Sequence, residues 1–334
     1  MLEYIMYPDW ISPTVLPGLP IRWYGITYLL GFITAYILFR HEMRRRKPEV
    51  DGETIVDFFF WGIVGILIGG RVLATLVYAD TVHYLTQPWL IFWPFNENME
   101  FTGLQGMSYH GGVLGAAAAI IIYGYRKKIQ FMEWADILAC AAPLGYTFGR
   151  LGNFINGELY GRVTTAPWGM VFPNARPISV EHEWARNVAS DIGMDVEAHT
   201  QFLNLPRHPS QLYEAFFEGI FLWVLLWFVF RKRRLFRGAL VGIYLFGYAF
   251  VRFFIEYVRQ PDPGLDFVVR LSSKYNPPEL FVTPLNLTMG QVLSIIMMIV
   301  AAVFLWFMYR RHDNRPTVQT LKPDQKGSPP KSKS

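Results

Sequence analysis

The chain has 334 residues, of which 52% are hydrophobic, 17% aromatic and only 17% charged, with a formal net charge of +5. Its apolar residues gather in blocks of about 18 or more with few charges, the pattern of membrane-spanning helices and not of a soluble α/β enzyme. The single cysteine, Cys140, lies inside such a block, which excludes an intramolecular disulfide or a cysteine-based metal site; it is read as a small packing residue.

In chain order, the first twenty residues hold Glu3, Asp9 and four prolines and lack a basic start, so no cleavable signal peptide is expected. Seven spans are predicted at 21–40, 54–78, 107–125, 131–149, 211–230, 238–258 and 289–309. They are predicted to be helical, because lipid cannot satisfy an open backbone. The connections alternate in charge. "RHEMRRRK", "YRKK", "RKRRLFR" and the tail from "YRRHDNR" carry five, three, five and seven Lys plus Arg, 20 of the chain's 31, whereas residues 79–105 carry none. Positive connections stay cytoplasmic. The predicted fold is therefore an all-α polytopic membrane protein with seven transmembrane helices, the N-terminus outside and the C-terminus cytoplasmic. Residues 1–310 form the expected transmembrane domain, with a small extracytoplasmic lobe at about 157–207. Within that lobe, 179–202 is read as one amphipathic helix or a loosely held surface segment. Residues 311–334, rich in Pro, Lys and Ser, are read as a disordered basic cytoplasmic tail.

An ionisable residue inside a span costs roughly 2.5–3.5 kcal/mol, so such residues pair or carry function. In the sixth span, Tyr248, Arg252 and Glu256 recur every four residues on one helix face, and Arg259 follows three residues later. An internal Arg252–Glu256 pair is the bland explanation; it needs neither the tyrosine nor the second arginine. Arg71, beside Gly69 and Gly70 in the second span, is read as either a helix clamp or a ligand-binding group. His110, in "GMSYHGGVLG", stands at the outer start of the third span. At the outer end of the fourth, "GRLGNFINGELYG" places Arg150 beside Asn153, with Asn156, Glu158 and Gly161 following. Tyr24, in "RWYG", opens the first span in an interfacial aromatic belt.

Several arginines, a histidine and amides thus converge at the level of the outer leaflet, with no nucleotide loop and no metal-ligand cluster in the sequence. Guanidinium groups bind phosphate through two oxygens at once and stabilise negative charge developing on a leaving group. A neutral histidine can take a proton from a nucleophile. From these residues alone, a phospholipid-consuming transferase stands beside two alternatives. One is a lipid or solute transporter using the arginines as a translocation path, and the other is a lipid-binding scaffold without turnover.

The signature "GRLGNFINGELYGR" resembles that of the bacterial prolipoprotein diacylglyceryl transferases. "RWYGITYLLGF", "GGR", "MSYHGG", "PRHPSQLYE", "FVRFFIEYVRQPD" and "MGQVLS" resemble the family in the same order, from about Arg22 to the seventh span. The resemblance implies transfer of the sn-1,2-diacylglyceryl group from phosphatidylglycerol to the lipobox cysteine of a preprolipoprotein. The products are a thioether and glycerol 1-phosphate, in the first step of bacterial lipoprotein maturation. It implies a multi-pass enzyme of the cytoplasmic (inner) membrane, with its active site toward the extracytoplasmic side. Its partners are phosphatidylglycerol, lipobox-containing preprolipoproteins and the bilayer, with no nucleic acid, and it needs no cofactor or metal. Carried onto matching positions, it implicates Tyr24, His110, Arg150, Asn153, Glu158, Gly161, Arg252 and Glu256. Arg150 and Arg252 are assigned to the phosphate, and either His110 or an arginine field to activating the thiol. Arg71, Asn156, Tyr248 and Arg259 complete the expected site. The stretch around 178–204 and the tail depart from the family pattern.

Overall fold

A computed structural model of the chain describes residues 4–16, 21–79, 81–95, 99, 106–194, 196–197, 199–233, 235–261, 264 and 266–313. All seven apolar blocks are helical. The helices are α1 (Trp23–Arg46), α2 (Gly52–Leu73, continued to Tyr78 by a wider turn), α3 (Thr81–Thr86), α4 (Tyr109–Arg126) and α5 (Phe131–Ile155), then α6 (Glu183–Asp191), α7 (Ser210–Phe230), α8 (Ala239–Ile255) and α9 (Met289–Asp313). By length and composition, Gly52–Val77, Ser210–Phe230 and Met289–His312 suffice to cross a bilayer, and α8 is a shorter apolar helix. Large apolar side chains such as Leu29, Phe60, Leu114, Phe250, Ile299 and Trp306 point outward and are exposed, as a lipid-facing surface requires. The chain is an all-α, multi-pass membrane protein with several long apolar helices. Of the expected tail, residues 314–334 lie outside the described residues.

The helices pack as α2 on α4, α1 on α5 and α8 on α9, with α7 set between α5 and α8. The α2–α4 contact is a glycine seam. A Cβ at Gly65 would lie 2.4 Å from the Gly115 carbonyl oxygen, and one at Gly69 would lie 2.2 Å from that of Gly111, so the backbones touch where only hydrogen fits. Toward the basic ends of the helices, Phe39, Met43, Phe58, Tyr123, Trp134 and Ile137 form an aromatic-rich core. Cys140 is fully buried there against Leu226, Trp227 and Leu240, a packing residue as the sequence predicted.

At the other end, short strands and one helix organise the long connections. β1 (Ile5–Met6) pairs in parallel with β2 (Met170–Val171), and β3 (Ile178–Ser179) pairs antiparallel with β4 (Phe202–Leu203). β5 (Phe267–Val269) pairs antiparallel with β6 (Leu287–Thr288). Of the two readings of 179–202, the helix is the one found: α6 buries Ala185, Val188 and Ala189 against Val163, Leu203 and Leu205. The lobe has a small core of its own.

Candidate functional site

The signature loop is held at both sides by hydrogen bonds. Where α5 ends, its last carbonyls would be orphaned; the Tyr7 hydroxyl donates to the carbonyls of Phe154 (3.0 Å) and Ile155 (2.9 Å). The loop then meets the "PRHPSQ" segment. Gly161 N–H donates to the His208 carbonyl (2.8 Å), Ser210 Oγ to that of Leu159 (3.0 Å), and Gln211 Nε2 to that of Glu158 (2.6 Å). On its far side Arg162 N–H donates to the Val258 carbonyl (2.8 Å), and its Nε to that of Arg259 (3.0 Å). Residues 161 and 162 therefore tie the end of α5 to the start of α7 and the end of α8.

A Cβ on Gly161 would sit 2.3 Å from the Val258 carbonyl oxygen and 2.8 Å from His208 Cβ. Backbone cannot yield there without parting the loop from α8. Gly161→Ala is expected to destabilise the protein by about 1–3 kcal/mol, as overpacking does, and to lower activity more than tenfold. Thermal unfolding in detergent beside a turnover assay measures both; an unchanged midpoint would contradict the close fit.

His208, in this junction and outside the helices, is partly buried, and burial pushes its imidazole down to about 4 from 6.5. Its Nδ1 lies 3.2 Å from Tyr213 Oη, which also accepts from Trp168 Nε1 (2.8 Å). A histidine kept neutral by the fold binds fewer protons than in the unfolded chain, so its contribution is complete above pH 6.5 and is lost as pH falls toward 4. Unfolding midpoints measured across that range are expected to fall more steeply for the wild type than for His208→Gln; parallel curves would refute the assignment.

Charge concentrates just inside the loop. Arg150 Nε lies 2.8 Å from Glu214 Oε2 and donates to Tyr146 Oη at 2.5 Å, and its Nη1 donates to Asn153 Oδ1 at 3.3 Å. Asn153 Nδ2 in turn donates to Glu158 Oε1 (2.9 Å), which also accepts from Asn156 Nδ2 (3.4 Å). From α8, Arg252 reaches Glu256 (2.9 Å), Glu214 (3.2 Å) and Glu218 (3.7 Å). Arg259 approaches Glu214 Oε1 at 3.6 Å and Glu256 Oε1 at 4.0 Å, and Glu256 also accepts from Thr288 Oγ1 (3.1 Å). Tyr146 donates a short hydrogen bond to Glu218. Three guanidinium groups, from α5, α8 and the segment that follows α8, thus surround Glu214, a carboxylate only 1% exposed.

The sequence reading missed Glu214 and Glu218. Two glutamates four apart inside an apolar run were the available signal. Both face Arg252 where α7 leaves regular α-geometry, in wide turns that begin at Glu214, a distortion common at functional sites.

Tyr24, His110, Arg150, Asn153, Tyr248, Arg252, Glu256 and Arg259 all line one cavity of about 1090 Å³. Its charged end is the cluster above. From there it runs between the helices along Phe32, Ala35, Phe59, Ile63, Ile66 and Ile120. Tyr24 donates to Tyr28 Oη (2.9 Å) at its wall, and His110 stands exposed at the first turn of α4. Asn156, Glu158 and Gly161 belong to the loop that closes this end. Arg71 is the member the structure sets apart. Nearly buried, it donates to the backbone carbonyls of Ile91 (2.5 Å) and Gly106 (3.2 Å) and does not line the cavity. It clamps the connection after α2.

A bundle of lipid-facing helices enclosing an apolar cavity that ends in buried arginines defines a class: a membrane protein built to take an amphiphile with an anionic head. Comparison with known proteins narrows it. The family model "Prolipoprotein diacylglyceryl transferase" matches residues 13–307, and the chain belongs to this family. It is 44% identical over 326 residues to the phosphatidylglycerol–prolipoprotein diacylglyceryl transferase of Treponema denticola, covering 92% of this chain and 96% of that protein. It is also 44% identical to the Treponema pallidum enzyme of the same name, covering 93% and 97%, and 38% identical to that of Chlorobaculum tepidum, covering 92% and 93%.

Proposed function

We propose that the chain transfers the diacylglyceryl group of phosphatidylglycerol to the cysteine thiol of a prolipoprotein, in the bacterial inner membrane. Family membership over residues 13–307 carries the reading. The cavity gives it a physical form: apolar walls for two acyl chains, and guanidinium groups at the end where the phosphate would lie. The thiolate sulfur attacks the glycerol carbon that bears the phosphate. A carbon–sulfur bond forms, the carbon–oxygen bond breaks, and its electrons leave with glycerol 1-phosphate. Arg150 and Arg252 meet the charge growing on that phosphate. Asn153, Asn156 and Glu158 orient Arg150 or the headgroup, Tyr24 and Tyr248 border it, and Glu256 and Arg259 complete the charged wall.

The finer topology belongs to the same proposal: seven crossings, N-terminus outside, C-terminus cytoplasmic, and the signature loop with its lobe on the extracytoplasmic side. The segregation of Lys and Arg to alternate connections supports it. Residues 1–310 then form the catalytic domain, and 311–334 a cytoplasmic tail.

A free thiol ionises near 8.5, so attack at neutral pH needs a base or a positive field. His110 is the base in this scheme. His110→Gln is expected to lower kcat about a hundredfold without altering the KM for lipid. A variant retaining more than half of wild-type turnover would assign activation to the arginines. The reaction itself is tested with purified full-length chain, phosphatidylglycerol and a lipobox peptide. The expected result is a diacylglyceryl mass gain on the cysteine peptide, equimolar glycerol phosphate, and no product with serine in its place. Lipid binding without glycerol phosphate release would favour the scaffold, and lipid counterflow without it the transporter.

A further inference from the structure

The basic ends of the helices hold a second charged constellation, which shares no lining residue with the cavity. Glu42, fully buried near the end of α1, binds Arg45 (2.8 Å), Arg46 (2.5 Å) and Arg231 (2.7 Å), and Arg231 also stacks 3.9 Å over Trp227. Beside it lies a cleft of about 290 Å³ lined by Arg46, Lys47, Glu133, Asp136, Arg233 and Arg237, with Leu235, Phe236 and Leu240 on its apolar side.

The carboxylates of this cleft are already engaged. Glu133 is shared between Lys47 (2.9 Å) and Arg237 (2.7 Å). Both oxygens of Asp136 accept backbone N–H groups at the start of α8, from Gly238 (2.7 Å) and Val241 (3.0 Å). Of the four cations that line the cleft, Arg46 is held by Glu42, and Lys47 and Arg237 share Glu133, so positive charge exceeds what these carboxylates offset. The Arg233 side chain is exposed and makes no hydrogen bond or ion pair among the described residues. An adjoining cleft of about 340 Å³ shares Glu133 and Arg237 and continues to Phe131, Met308 and Arg311.

We propose that this cleft binds the phosphate of an anionic phospholipid in the leaflet that meets these helix ends, with Arg233 and Arg237 as its ligands. Excess positive charge calls for an anion. Apolar side chains on the same wall, at the ends of lipid-facing helices, favour an amphiphile over a soluble anion. A lipid bridging Arg233 and Arg237 would order the α7–α8 connection, which the Arg237–Glu133 pair ties to the start of α5. The test uses full-length chain in phosphatidylcholine nanodiscs containing dioleoyl phosphatidic acid, with retained lipid counted by native mass spectrometry. The Arg233→Gln/Arg237→Gln double variant is expected to lose one retained phosphatidic acid and to bind it about twenty-five-fold more weakly, at about fivefold per cation. Transfer activity is expected to stay unchanged. Arg233→Gln alone disturbs no ion pair and should show the fivefold part with an unaltered unfolding midpoint. Equal retention by both variants would overturn the proposal. Inorganic phosphate binding as tightly as the lipid would overturn its lipid assignment.

Discussion

Arg252→Ala is expected to abolish transfer, with kcat/KM falling about a thousandfold, the upper range for removing one donor that stabilises charge in a transition state. Arg252 touches Glu214, Glu218 and Glu256, so the truncation also takes one cationic partner from each of three buried carboxylates and leaves Glu218 with Tyr146 alone. Breaking a buried pair from one side costs about 3–5 kcal/mol, and a lower unfolding midpoint should accompany the lost activity. Arg252→Lys separates the two effects. A lysine supplies the charge and spares the fold, but it lacks the planar fork that holds two oxygens. It is therefore expected to keep the wild-type midpoint while turnover falls at least tenfold. Glycerol phosphate release beside thermal unfolding measures both; a lysine variant with normal turnover would show that charge alone suffices.

Glu214 is the second position of large effect. Arg150, Arg252 and Arg259 all approach this one carboxylate. Glu214→Ala would leave three guanidinium groups facing Glu218 and Glu256 alone, with a loss of about 3–5 kcal/mol in stability and turnover down more than a hundredfold. Glu214→Gln keeps the shape and removes the charge. It is expected to fold, with kcat lowered about tenfold or more and KM changed less, because the arginines lose their common anchor while the cavity persists. A Gln variant with normal kcat would mean that packing, not Glu214, aims the arginines.

How much of this was legible in the sequence differs between elements. The seven helices were, because blocks of apolar residues declare themselves one by one. So were the Tyr248–Arg252–Glu256 stripe and the Arg150–Asn153 pair, since helical periodicity alone sets those neighbours. Partners across helices were not. Glu158 is the carboxylate nearest Arg150 in the signature, but it reaches that arginine only through Asn153, and the carboxylate in direct contact is Glu214 from α7. Nothing local in the sequence chooses between them. Arg71 shows the same limit from the other side: its place in a span left clamp and ligand equally open, and only the folded connection offers it the carbonyls of Ile91 and Gly106. The pairing of β1 with β2 and the Tyr7 bonds at the end of α5 join residues about 150 positions apart, beyond the reach of any periodicity.

The mechanism we propose places the lipid phosphate against Arg150 and Arg252. Phosphorus NMR of phosphatidylglycerol bound to the full-length chain, without peptide and hence without turnover, tests it most directly. A bound resonance distinct from bulk lipid is predicted for the wild type, retained in Arg71→Ala and Arg233→Gln and lost in Arg252→Lys. The same resonance, unshifted, in Arg252→Lys would contradict the account.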